Sequence, residues 1–166
     1  MYLNGSFYEI LFSRRISTTM QCNARFAYYQ TQIKALLTNA EIKHIGASAI
    51  PNAISKGDLD IYIAVDQSEF NDAIQKLYHL NFQEKLATLR TDQLCMLESL
   101  NGDDVAFQLV VKGSEFESFI TFRDKLRQSP ELVRTYNDLK KRCENLDMID
   151  YRIEKNKFIS AVLNQQ

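Results

Sequence analysis

The chain has 166 residues, 45% of them hydrophobic and 25% charged, with a net charge of −1. That length is one domain with enough apolar residues for a real core. The near-zero charge argues against a dedicated nucleic-acid binder and against a polybasic membrane anchor.

Residues 1–18 are the least legible; Phe7 to Phe12 suit a short strand or an arm. Cys22, Phe26, Tyr29, Ile33 and Leu36/Leu37 recur at helical spacing, which predicts an amphipathic helix over 20–38. A strand follows at 41–45 and ends at Gly46; an apolar strand covers 58–65. Asp66-x-x-Glu69 has the form of a capping box, and Phe70, Ala73, Ile74, Leu77 and Tyr78 make one helical stripe. Strands are expected at 81–86, 92–99 and 104–111, with Asn101-Gly102 as the turn between the last two. The remainder is helical. Ser114-x-x-Glu117 opens one helix, Ser129 caps the next with Pro130 at its first position, and a final helix spans 148–163. A helix, several strands and a helical C-terminal third make an α+β domain. Five glycines and two prolines leave little room for a linker, so 1–166 reads as a single domain.

Three widely spaced cysteines, Cys22, Cys95 and Cys143, form neither a metal-ligand spacing nor a disulfide framework. Each reads as a small buried apolar residue, and a reducing cytoplasm is the expected compartment. No run reaches the length of a membrane span, and the FYEILF patch at 7–12 is too short and too acidic for a signal peptide.

The chemistry concentrates in HIGASAIPNAISKGDLDIYIAV, residues 44–65. With period two, Asp58, Asp60 and Tyr62 share one strand face; Leu59, Ile61, Ile63 and Val65 share the other. Adjacent carboxylates repel, so the pair costs stability unless a cation sits between them. A hard divalent ion with oxygen ligands, most simply Mg2+, fits that need. The turn Gly46-Ala47-Ser48 offers backbone N–H groups and a hydroxyl to a phosphate. Residues 112–142 carry eight Lys/Arg against five acids, which suits an anionic ligand; a solvated helical face is the plain alternative.

A hydrophobic-Gly turn a dozen residues ahead of Asp-x-Asp resembles the nucleotidyltransferase superfamily. More closely, His44, Ile45, Gly46, Ser48, Ala49, Pro51, Lys56, Asp58 and Asp60 resemble the first block of the GrpB family. Phe122, Arg123, Asp124, Leu126, Arg127, Pro130, Tyr136, Leu139 and Lys140 resemble its second block without a gap. The resemblance implies a nucleotidyltransferase-like mixed sheet with flanking helices. It also implies Mg2+-dependent transfer from a nucleoside triphosphate to an unknown acceptor. The chain departs from the family at Ala47, where nucleotidyltransferases carry Ser, and at Asn52, where the family has Pro-Gly. It also lacks a His-x-His pair at 105–111. These losses point to a second reading, a nucleotide- or phosphate-binding module with little catalysis.

On this reading Asp58 and Asp60 hold the metal and are the catalytic pair. Asp104 is the candidate third acid, with Glu98 behind it; Gln108 shares parity with Asp104 and stands where an acid would be needed. Gly46, Ser48, Lys56, Arg123 and Lys140 are the candidate nucleotide contacts. Each has an alternative: Ser48 bonding local backbone, Lys56 in water, Arg123 paired with Asp124 inside the fold, Lys140 and Arg127 at the surface. His44 reads as structural. The expected partner is a nucleotide or another phosphate-bearing small molecule, with no nucleic acid and no membrane.

Overall fold

Alternation in Leu59-Asp60-Ile61-Tyr62-Ile63-Ala64-Val65 builds the strand on which everything else is assembled. The computed structural model describes residues 7–165, with side chains from Thr18 on. The order is α1 (Phe7–Leu36), β1 (Glu41–Ile45), β2 (Leu59–Val65), α2 (Phe70–Tyr78), β3 (Phe82–Glu84), β4 (Leu94–Ser99) and β5 (Val105–Val111). Then come α3 (Ser118–Gln128), α4 (Pro130–Arg142) and α5 (Met148–Leu163). The described strands form one mixed sheet in the order β1-β2-β5-β4-β3. β2 runs parallel to β5; the other neighbours are antiparallel.

Both faces of the sheet are covered, so β2 is buried along nearly its whole length. On one face Leu59, Ile61, Ile63 and Val65 meet Tyr29, Ile33 and Leu37 of α1 and Phe70, Ala73, Ile74 and Leu77 of α2. Phe82 and Phe107 stack there at 3.7 Å, with Tyr29 edge-on to both. On the other face Ile45, Tyr62, Ala64, Leu94 and Val110 lie under Phe116, Phe119 and Ile120. A third cluster joins Ile50 to Leu126, Val133, Tyr136 and Val162. It ties the helical third to the segment between β1 and β2, and so frames the site.

Phe7–Phe12, read as a strand or an arm, is helical backbone; the part of that reading on residues 1–6 lies outside the described residues. No Gly or Pro interrupts 7–36, so nothing in the sequence stops α1 from extending that far. The strands expected at 81–86 and 92–99 are shorter, at 82–84 and 94–99. Asp66 and Ser114 do not cap with their side chains, whereas Ser129 accepts from Leu132 N at 3.2 Å. No helix among the described residues is long and apolar enough to cross a membrane.

Candidate functional site

β1 ends at Ile45, and the chain turns through Gly46 at φ 75, ψ −175. That region is essentially open to glycine alone. A Cβ at Gly46 would lie 2.6 Å from Asp60 Oδ2, so the turn is pressed directly on the acid. After one 3-10 turn over Ala47–Ala49, Ile50 O accepts from Ala53 N at 3.2 Å. Asn52, third in that turn, has φ 65. A left-handed third residue after Pro is the pattern of a type II turn, and Asn tolerates it better than other side chains. The Asn that replaces the family's Gly therefore keeps the turn. Asn52→Gly is expected to be close to neutral, and Asn52→Ala to cost about 1 kcal/mol. Urea unfolding of the two variants distinguishes them; equal stabilities would exclude a strained left-handed residue there.

The rest of this segment makes few backbone bonds of its own. Side chains from three helices satisfy it, as buried or half-buried backbone requires. Arg127 Nε donates to Ala49 O at 2.8 Å. Asn137 accepts from Ile54 N and donates to Asn52 O, both at 2.8 Å. Lys140 Nζ donates to Ile54 O. From α1, Arg25 Nη2 donates to Gly57 O at 2.7 Å, and the buried Cys22 Sγ reaches the same oxygen at 3.4 Å. The backbone leading into Asp58 is thus held from both sides.

Asp58 sits immediately before β2, and Ser55 Oγ lies 3.3 Å from its Oδ1. Asp60 is the second residue of β2, on the same face as Tyr62. Burial, then the Asp58 charge, push the Asp60 carboxyl up to about 6, with Lys155 and a Gln108 hydrogen bond opposing. Strand register puts Asp60 beside Ala106 and Tyr62 beside Gln108, so Gln108 shares the acid's face. Gln108 is 6% exposed, and its Oε1 is buried with no hydrogen-bond partner.

The helical third supplies the opposite wall. Lys140 Nζ lies 4.1 Å from the Tyr136 ring centroid, and Tyr136 stacks on Phe158. Burial and the Lys155 charge lower Lys140 to about 8, against the pull of Asp58. Burial raises Tyr136 and Tyr151, and both also feel the Asp58 charge. Asp58, just before β2, and Asp60, on it, are therefore within electrostatic reach of Tyr136 and Lys140 from α4 and of Tyr151 and Lys155 from α5. Half-buried acids thus stand near cations and an unpartnered amide oxygen.

The other sequence candidates fall as follows. Gly46 is in the site, against Asp60. Ser48 Oγ lies 2.9 Å from His44 Nε2, so its hydroxyl is engaged with that imidazole. His44 stacks on Phe26, and burial with Arg127 and Arg123 lowers it to about 4, which keeps it neutral. Arg123, expected as a nucleotide contact, is 8% exposed and donates to His44 O at 2.9 Å while pairing with Asp124. It anchors α3 to β1. Lys56 is exposed, close enough to bear on Lys140. Asp104 is exposed just before β5; its charge acts on Asp60, and its carbonyl accepts from Leu59 N at 2.9 Å. Glu98 lies two strands from Asp60, with Gln83 and Lys85. Among the described residues no three of His, Cys, Asp and Glu gather closely enough to hold a metal. Sequence reasoning missed Arg25, Asn137, Tyr151 and Lys155. One signal was available: Tyr151/Lys155 repeats the four-residue spacing of Tyr136/Lys140.

This sheet, its Gly46 turn and its acid-bearing strand define a nucleotidyltransferase-like fold. Superposition on Cid1 poly(U) polymerase with MgGTP bound gives a TM-score of 0.55 at 12% identity, covering 85% of this chain and 49% of that one. GrpB from Enterococcus faecalis superposes at a TM-score of 0.69 and 20% identity, over 85% of this chain and 89% of that one. The profile described as GrpB protein matches residues 17–165, and the chain belongs to the GrpB family. A UPF0157 protein of Vibrio cholerae is 53% identical over 144 residues, 87% of this chain and 77% of the relative. The glutamate-rich protein GrpB of Alkalihalophilus pseudofirmus is 27% identical over 135 residues, 75% of this chain and 78% of its own.

Proposed function

We propose that the protein is a Mg2+-dependent nucleotidyltransferase that uses a nucleoside triphosphate. The observation that carries this reading is the half-buried Asp60, pressed by Gly46 and raised to about 6 by burial and by Asp58. A fold holds two such carboxylates together at a cost, and a bound cation offsets that cost. Asp58 and Asp60 would hold the ion, with Gln108 Oε1 as a neutral third oxygen. The ion's chemistry would be to neutralise phosphate oxygens and polarise the reacting phosphorus. Lys140 and Lys155 face the same space and would hold the phosphate chain; Tyr151 offers a ring beside them. Gly46 lets the turn approach the acid without a side chain intervening.

Gln108 in place of an acid, with Ala47 in the turn, favours the second reading, a module that binds the same ligand with little turnover. A thermal-shift panel of nucleoside triphosphates, with and without Mg2+, tests what both share. At least one nucleotide should raise Tm by several degrees with Mg2+ and by much less without it. No response across the panel would remove both readings. Pyrophosphate release with candidate acceptors then separates enzyme from binder.

A further inference from the structure

Ser55 precedes Asp58 on the segment that leads into β2, and its hydroxyl makes two contacts. Ser55 Oγ accepts from Gly57 N at 3.0 Å and reaches Asp58 Oδ1 at 3.3 Å. An ionised carboxylate can only accept, so the serine proton points to the acid. We propose that Ser55 is a positioning residue for Asp58 and raises that acid's affinity for the divalent cation. This rests on the nucleotidyltransferase reading above, and it concerns Asp58 whichever other groups join it at the ion.

Bonds on both flanks hold the serine where it can act. Before it, Ile54 is fixed by α4: Asn137 accepts from Ile54 N at 2.8 Å, and Lys140 Nζ donates to Ile54 O. After it, Gly57 is fixed by α1: Arg25 Nη2 donates to Gly57 O at 2.7 Å. A serine hydroxyl that bonds the N–H two residues on makes a local turn, and a weak one by itself. Here the turn runs into Gly57 at φ 90, a left-handed angle that favours glycine. That step brings Asp58 Oδ1 back to the hydroxyl.

A plain turn serine needs only the Gly57 bond. The contact with Asp58 is extra to the backbone geometry, and it falls on the carboxylate that would ligate the ion. Hydrogen bonds to metal-ligating carboxylates orient them in advance, and removing such a partner typically costs about 10–100-fold in metal affinity. At 3.3 Å the bond is longer than the usual hydroxyl–carboxylate contact, so it steers the acid more than it stabilises the fold. Its loss should therefore show in ion binding more than in stability. The same turn couples the two walls of the site. Lys140, within electrostatic reach of Asp58, also holds the carbonyl just before Ser55.

Mn2+ binding, followed by electron paramagnetic resonance with a non-hydrolysable nucleoside triphosphate analogue, tests this. Ser55→Ala should weaken Mn2+ binding about 10-fold or more. Ser55→Thr keeps the hydroxyl and should restore nearly wild-type affinity. Ser55→Cys, similar in size and a weaker donor, serves if the alanine variant folds poorly. Asn52→Ala is the control, because it strains the same segment without removing a group that touches Asp58. It should lose stability in urea and keep its Mn2+ affinity. An equal loss of affinity in Asn52→Ala would mean that Ser55 only holds the segment, and would overturn the proposal. So would Ser55→Ala binding Mn2+ like the wild type, or Ser55→Thr failing to recover; either result leaves the nucleotidyltransferase reading intact. A wild type that binds no Mn2+–nucleotide would remove that reading and the proposal with it.

Discussion

Asp60→Asn should stabilise the metal-free protein at pH 7 and above. Asp60 has an ordinary value of 3.8, raised in the fold to about 6, chiefly by burial and then by Asp58. At 1.36 kcal/mol per pKa unit, the ionised acid costs the fold up to about 3 kcal/mol above pH 6. Imperfect pairing of the new amide takes back about 1 kcal/mol. The sign follows from proton counting. Between roughly pH 4 and 6 the folded state holds more protons on Asp60 than the unfolded state, so this part of the stability falls as pH rises. His44 works the other way. Its value drops from 6.5 to about 4, so the unfolded state binds its proton first, and stability falls as pH drops through that window. The two opposing slopes flatten the wild-type curve between pH 4 and 6.5. Asp60→Asn leaves the His44 slope alone, so the variant should be the more stable protein at pH 8 and lose that advantage toward pH 4.5. Urea unfolding across this range checks it. The same variant should lose the Mg2+–nucleotide response. A variant weaker than wild type at pH 8 would mean Asp60 is a satisfied structural acid.

The acid pair and the glycine were legible in the sequence because strand period and turn chemistry are local. Asp60 had to face one side once Leu59, Ile61 and Ile63 faced the other, and a Gly after an apolar strand marks a turn. Lys140 was legible only through the family block. What the sequence hid was contact across distance. Asn137 bonds a segment 83 positions earlier, and Arg25 bonds one 32 positions later. Neither spacing leaves a trace in composition or periodicity. Asp104 shows another limit: parity assigned its face but not its depth, and the mouth of β5 is open to water. The Asp66 and Ser114 boxes have the right letters, but the chain enters each helix through a 3-10 turn, and the side chains do not close on it. Asn52 runs the other way. A departure from the family pattern at the level of letters preserves the backbone angle that the pattern exists to supply.

Gly46→Ala should be the most damaging single-methyl change at this site, at about 3–4 kcal/mol. Two costs combine. The backbone at φ 75, ψ −175 disfavours any Cβ, which accounts for about 1–3 kcal/mol. The new methyl would also stand 2.6 Å from Asp60 Oδ2, 3.2 Å from its Cβ and 3.3 Å from its Cγ. Turning the carboxylate about its Cβ–Cγ bond relieves the first contact but not the other two. The strain and the contact are separable. Asp60→Ala removes the carboxylate but keeps the backbone angle, so Gly46→Ala should cost about 1–2 kcal/mol less in that background. A double-mutant cycle by urea unfolding measures the difference. A coupling near zero would mean that the turn does not press on the acid. The ligand response is a second, independent check, because Gly46→Ala should abolish the Mg2+–nucleotide shift in whatever fraction still folds. A folded Gly46→Ala protein that responds like the wild type would place nucleotide binding somewhere other than between Gly46 and Asp60.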